Sequence, residues 1–197
     1  MPADVDLAND ALAQIGATPI TALDDSDVSI NAQYCKAMYP MLRDAVLRDH
    51  LWNFAKKRAT LTPTATPPLF QWPYSYQLPP DCLRVLRMGV DDNQSWKIEG
   101  KLLLTNVSYV NSPMTILYIA QITDLSQWDA MAYQALATRL ASKLAGPIQH
   151  DLKLAEQKLA EYKALFVDAA AVNGQEGIQD RMDVPDLTYD VRDDNRT

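Results

Sequence analysis

Over residues 31–61, NAQYCKAMYPMLRDAVLRDHLWNFAKKRATL, the apolar spacing changes from helical to extended, and the flanking chain has to accommodate that change. Ala37, Met41, Ala45, Leu47 and Leu51 recur near helical spacing. Tyr34 and Met38 extend the stripe upstream, and Arg43, Asp44, Arg48 and Asp49 supply a charged side. Pro40 removes a backbone donor inside the run, which predicts a kink or a helix restart. After His50-Leu51-Trp52-Asn53-Phe54 the stripe is lost, and Thr60, Thr62 and Pro63 end it. A helical layer hands over to a sheet here.

Upstream, Val5, Ala8, Leu12 and Ile15 fall on one face of a first helix over 4–15. Asp4 or Asp6 serves its N-terminus, and Gly16 stops it. Ala17-Thr18-Pro19-Ile20 reads as an extended turn, and an Asp-rich loop leads to a second helix from about Val28. Strands are expected over 54–61, 75–78 and 83–90, where Leu83, Val85 and Arg87 alternate with Arg84, Leu86 and Met88. Asp91-Asp92-Asn93-Gln94 is a hairpin signal, and a second hairpin turns at Gly100 between 96–99 and 101–105. Residues 114–122, MTILYIAQI, are the strongest strand.

Asp124 or Ser126 is expected to cap a helix to about Leu144, lined by Leu136, Leu140 and Leu144 and by Ala137, Ala141 and Ala145. Gly146 should end it and Pro147 should open the last helix, over 148–171. Leu152, Ala155, Leu159, Tyr162 and Phe166 form the seam of an αα-hairpin. The fold class is α+β. A mainly α-helical bundle of about four helices is built from 1–53 and 123–172, a small antiparallel β-sheet is inserted over 54–122, and an extended C-terminal tail occupies 173–197.

Composition narrows the function classes. Forty-eight per cent hydrophobic residues suffice for a core, and no apolar run approaches the roughly 20 residues of a membrane helix. The opening MPADVDLAND has neither the basic nor the apolar region of a signal peptide. A net charge of −7 is poor for gripping nucleic-acid phosphates; it suits a wall that DNA slides past and equally an acidic solvated surface. Cys35 and Cys82 read as buried free thiols. With His50 and His150 they make no metal-ligand spacing, and no cofactor is expected. His50 and His150 read as surface or subunit-contact residues. The four glutamates and the loop-bound aspartates present no paired carboxylates flanking a cleft, so no catalytic residue is assigned.

Three features read as contact sites. Leu69, Phe70 and Trp72 stand in a proline-braced loop, tucked against the core or offered to a neighbouring subunit. Lys56, Lys57 and Arg58 form the one basic run, either a solvated strand edge or a contact with phosphates or with acids on a neighbouring subunit, the abundance of Asp favouring the acids. Met182, Val184, Pro185, Leu187, Tyr189 and Val191 are spaced apolar residues in an acidic tail, which is either a floppy extension or a set of anchors for a groove or an exposed sheet edge.

The run LRDAVLRDHLWNFAKKRATL, followed by FQWPYSYQLPPDCLRVLRMG, resembles head-to-tail adaptor proteins of tailed phages, the tail tubular protein A family of short-tailed phages and its relatives. The resemblance spans roughly Leu7 to Phe166, with LANDALAQIGATPITAL matching the first helix and turn. Its most specific parts are Trp52-Asn53-Phe54 and the Leu78-to-Val85 element. It implies a non-enzymatic virion protein of the tail or neck, made in the host cytoplasm. The expected partners are the portal protein, the tail nozzle or tube protein, and further copies in a dodecameric ring through which DNA passes without specific binding. The tail would dock on the portal. A neck protein of a long-tailed phage and a tail-borne peptidoglycan hydrolase are the alternatives.

Overall fold

A computed structural model of the chain describes residues 3–89, 94–108 and 113–175, with side chains through Val167. Its elements are α1 (Asp4–Gln14), α2 (Ile30–Asp49), β1 (Lys56–Thr60), β2 (Thr62–Pro63), β3 (Tyr74–Gln77), β4 (Cys82–Met88), β5 (Trp96–Glu99), β6 (Leu102–Thr105), β7 (Thr115–Ala120), α3 (Ala130–Gln149) and α4 (Leu152–Gln175). The class is α+β, with the strands set between α2 and α3. The last helix runs past its expected end at 171, so residues 173–175 of the expected tail belong to α4, and the rest of that tail lies outside the described residues.

α3 is the axis of the bundle and packs against α1, α2 and α4. Both of its predicted stripes, Leu136-Leu140-Leu144 and Ala137-Ala141-Ala145, are buried. The leucines each contribute about 2 kcal/mol of apolar burial, and the alanines let neighbouring helices approach closely. α1 buries Leu7, Ala8, Ala11 and Leu12. Asp6 accepts a hydrogen bond from the Ala3 N–H (2.8 Å), so it serves the helix start as expected. The Asn9 amide brackets Ile20, accepting from its N–H at 2.8 Å and donating to its carbonyl at 3.0 Å, and so fixes the extended turn after α1.

α2 is one continuous helix through Pro40, with no restart. Ser29 caps it, its hydroxyl accepting from Ala32 N–H. The buried face is Ala32, Cys35, Tyr39, Leu42, Val46 and Leu47, rotated from the expected stripe, and Met41 is 66% exposed. From Ala32 to Val46 the actual stripe alternates by three and four residues, so it buries more side chain than one built on Ala37 and Met41. Arg43, expected on the charged side, is buried and donates Nε and Nη2 to Asp44 (3.0 Å each). Asp44 in turn accepts from Gln121 at 2.7 Å, which ties α2 to the end of β7.

Two sheets replace the single one expected: β1-β7-β4, and β2-β3-β6-β5, all antiparallel. The chain crosses from one to the other at Leu61, which is buried and donates its N–H to Met114 O (2.7 Å). Local alternation cannot announce such a crossing, because it is set by which distant strand each segment pairs with. The first strand starts later than expected, since Asn53–Ala55 form a 3₁₀ turn. The hairpin at Gly100 forms as expected, with φ +59° at the glycine. The hairpin signal after Val90 lies mostly outside the described residues.

Two boundaries differ in the second half. Asp124 caps a 3₁₀ turn, Leu125–Gln127, and Asp129 caps α3 itself. Gly146 does not end α3, and Pro147 does not open α4. The helix tolerates Pro147 close to its end, where few of its backbone bonds remain to be lost, and stops at His150 in the left-handed region (φ 52°). The αα-hairpin forms, but Leu152 lies off its seam and is 74% exposed.

Candidate interaction surfaces

The handover from bundle to sheet is made by an aromatic cluster. Trp52 is buried, lies 6.0 Å from Phe54 and meets Phe166 of α4 at 5.8 Å, and Phe54 stacks at 5.4 Å on Trp128. The buried indole N–H groups of Trp52 and Trp128 both donate six residues back, Trp52 to Val46 O (3.0 Å) and Trp128 to Ile122 O (3.2 Å). Val46 O is among the terminal carbonyls a helix leaves unbonded, so Trp52 caps α2 from the side. His50 is half-buried and meets Trp52 and Phe166 edge-on, at 4.5 and 5.9 Å. Burial first, then the Lys56 charge, lower its pKa. It sits at the junction of bundle and sheet, and His150 is the C-cap of α3 rather than part of α4.

The basic run is divided by the strand period. Lys57 turns to one face and pairs with Asp81 (3.3 Å), while Lys56 and Arg58 turn to the other, opposite Ile119 and Leu117. Lys56 donates to Asn53 at 2.8 Å. β4 carries two register shifts, so burial along it repeats every three residues rather than every two. Arg84 and Arg87 consequently share one face, opposite Ile119 and Leu117. Arg58, Leu117 and Arg87 therefore lie in one row across the sheet, with Lys56, Ile119 and Arg84 in the next. Sequence reasoning missed Arg84 and Arg87 because simple alternation puts them on opposite faces.

Leu69, Phe70 and Trp72 lie over the other sheet, so the structure does not bring them together with the basic run. Their loop covers a hollow of about 480 Å³ over Lys97, Glu99, Leu102 and Leu104. Leu69 and Phe70 are 98% and 76% exposed, which rules out tucking against the core for both. Trp72 is half-buried, and its buried indole N–H meets no acceptor among the described residues. Gln71 takes a left-handed φ of 70° between them.

Burial pushes the Cys35 thiol up to about 11 and also raises that of Cys82, which keeps both protonated. Both are free, as expected. Among the described residues no three or more His, Cys, Asp or Glu side chains could hold a metal ion, and no helix is long and apolar enough to cross a membrane. Met182, Val184, Pro185, Leu187, Tyr189 and Val191 lie outside the described residues. No protein-family model matches the chain, and no curated protein matches it.

Proposed function

We propose that this chain is a structural virion protein, a head-to-tail adaptor that assembles as a ring between the portal and the tail nozzle or tube and extends the DNA channel. The observation that carries the reading is where the most specific parts of the resemblance fall. Trp52-Asn53-Phe54 is the hinge between bundle and sheets, and Leu78 to Val85 takes the chain into β4. These residues specify the architecture rather than a reaction. An adaptor needs that property, because its work is to hold shape between two partners. The acidic balance supports a lumen that DNA passes without adhering. The uncovered Leu69 and Phe70 suit contact with a neighbouring subunit or the downstream tail component. The tail residues around Leu187 and Tyr189 suit the portal.

The test is mass photometry of the purified chain, alone and with its cognate portal. The expected result is a small species alone and a ring-sized complex with the portal. Leu187→Asp with Tyr189→Asp should abolish the complex without altering the fold of the body. Absence of any association with the portal would overturn the reading and favour a different neck component or the wall hydrolase.

A further inference from the structure

β4 is one edge of the three-stranded sheet, β5 is one edge of the four-stranded sheet, and both line a groove of about 430 Å³. Among the described residues no strand pairs with either outer edge. The edges differ. β4 has two bulges, which disrupt a ladder and turn an edge away from further pairing. β5 is regular, each residue of Trp96–Glu99 meeting one partner on β6. Trp96 and Ile98 turn to the groove and are half-buried, with Leu83 and Val85 on the opposite wall. Lys97 and Glu99 turn away and pair at 2.8 Å. The charged residues of the groove, Arg48, Arg84 and Lys101, are all basic and exposed, and Lys101 also donates to Cys82 O at 3.3 Å.

Apolar walls, a regular free edge and a basic rim suit an extended peptide in which apolar residues alternate with polar ones and acids lie close by. The chain carries one. Residues 183–191, DVPDLTYDV, hold three aspartates and no basic residue. Leu187, Tyr189 and Val191 alternate with Thr188 and Asp190, and Pro185 stands just ahead, where it removes no bond from the strand itself. The reach is sufficient. Tyr162 of α4 bonds Asp49, the neighbour of groove-lining Arg48. From Phe166 to Gln175 the helix advances roughly 13 Å. The chain from Gln175 to Asp183 can span roughly 25 Å more.

We propose that residues 187–191 of the same chain add to the free edge of β5 as a further strand, with Leu187, Tyr189 and Val191 on Trp96 and Ile98, and with Asp183 and Asp186 at the basic rim. Linkage within one chain gives the segment an effective concentration of order millimolar, so modest intrinsic affinity is enough. This docking does not rest on the adaptor reading. Where both hold, the portal has to displace the segment from the groove, which keeps the free chain from engaging prematurely.

The test uses the full-length isotope-labelled chain with a nitroxide on Thr188→Cys, a position on the outward side of the added strand. Cys35 and Cys82 are buried and free, so the new thiol is the accessible one. Paramagnetic broadening should remove the amide signals of Trp96, Lys97 and Ile98 and leave those of α1 intact. Leu187→Asp should restore them, as should Arg84→Glu with Lys101→Glu. Signals at β5 that persist beside the nitroxide overturn the proposal. So does broadening that appears only when the nitroxide and the isotope are on different copies, which would make a neighbouring copy the donor. If Leu187→Asp leaves the broadening unchanged, the apolar register is wrong and the proposal fails.

Discussion

Tyr162 on α4 donates its hydroxyl proton to Asp49 at the end of α2, at 3.0 Å. The same pairing recurs three times: Tyr39 to Asp4 (2.9 Å), Tyr118 to Asp81 (3.1 Å) and Tyr133 to Asp10 (2.9 Å). Three of the four tie one helix to another, joining α2 to α1, α3 to α1 and α4 to α2. An acidic chain thus uses carboxylates as acceptors for a neutral donor, which needs no cation. The arrangement works only while the phenols hold their protons.

Alkaline lability follows. Burial first and the neighbouring carboxylate second raise all four tyrosines, Tyr118 to about 12 and the others further. Unfolded tyrosines lose their protons near pH 10. Above that pH the unfolded chain binds fewer protons than the folded one, so stability falls as pH rises. The contribution is fully present below about pH 10 and is lost progressively towards the folded values. Denaturant midpoints should decline from about pH 10 towards about pH 12, and a flat profile would refute the account. Tyr162→Phe should cost about 1 kcal/mol at neutral pH and make the alkaline decline shallower.

Trp52→Phe tests the side-on cap of α2. The substitution keeps an aromatic ring in the cluster but removes the donor to Val46 O. It should cost about 1–3 kcal/mol through an unsatisfied buried carbonyl and lost volume. Hydrogen exchange should quicken in the last turn of α2 more than in α1. Equal acceleration in both helices would mean that Trp52 acts through general packing alone.

Much of this was legible in the sequence, and the failures have identifiable causes. The Leu and Ala stripes of α3 read correctly because that helix is buried on several sides, so most of its apolar residues point to some neighbour. α2 was misread by a rotation, because Met41 and Ala37 compete with the true stripe and only tertiary contacts decide between them. The shared face of Arg84 and Arg87 depends on bulges that no local pattern marks. Leu69, Phe70 and Trp72 were recognised as standing in a loop, yet their burial depends on the sheet beneath it.

His150→Gly should stabilise the protein. His150 holds φ 52°, where a side chain costs about 1–2 kcal/mol, and its N–H closes the helix on Ala145 and Gly146 carbonyls. Glycine relieves that strain and costs somewhat less in unfolded-state entropy, for a net gain of about 0.5 kcal/mol. The midpoint of urea unfolding reads it, and His150→Ala should give no gain. A destabilised glycine variant would show that the imidazole itself contributes a contact.

Leu69→Ser with Phe70→Ser separates stability from assembly. Leu69 stands almost wholly in water and Phe70 largely so, and folding therefore removes little of their surface from solvent. The double variant should therefore shift stability by no more than about 0.5 kcal/mol. Apolar side chains held out on a loop braced by Pro67 and Pro68 are suited to binding, because the loop is already ordered and little entropy is lost on contact. If the proposed adaptor role holds and these side chains meet a neighbouring subunit or the downstream tail component, the variant should bind portal normally and then fail to recruit that component or to close the ring. Sedimentation of the portal–adaptor complex, with and without the tail nozzle protein, distinguishes these steps. Unimpaired recruitment and ring closure would remove this loop from the interface, while a large loss of stability would show that the two side chains pack against the body.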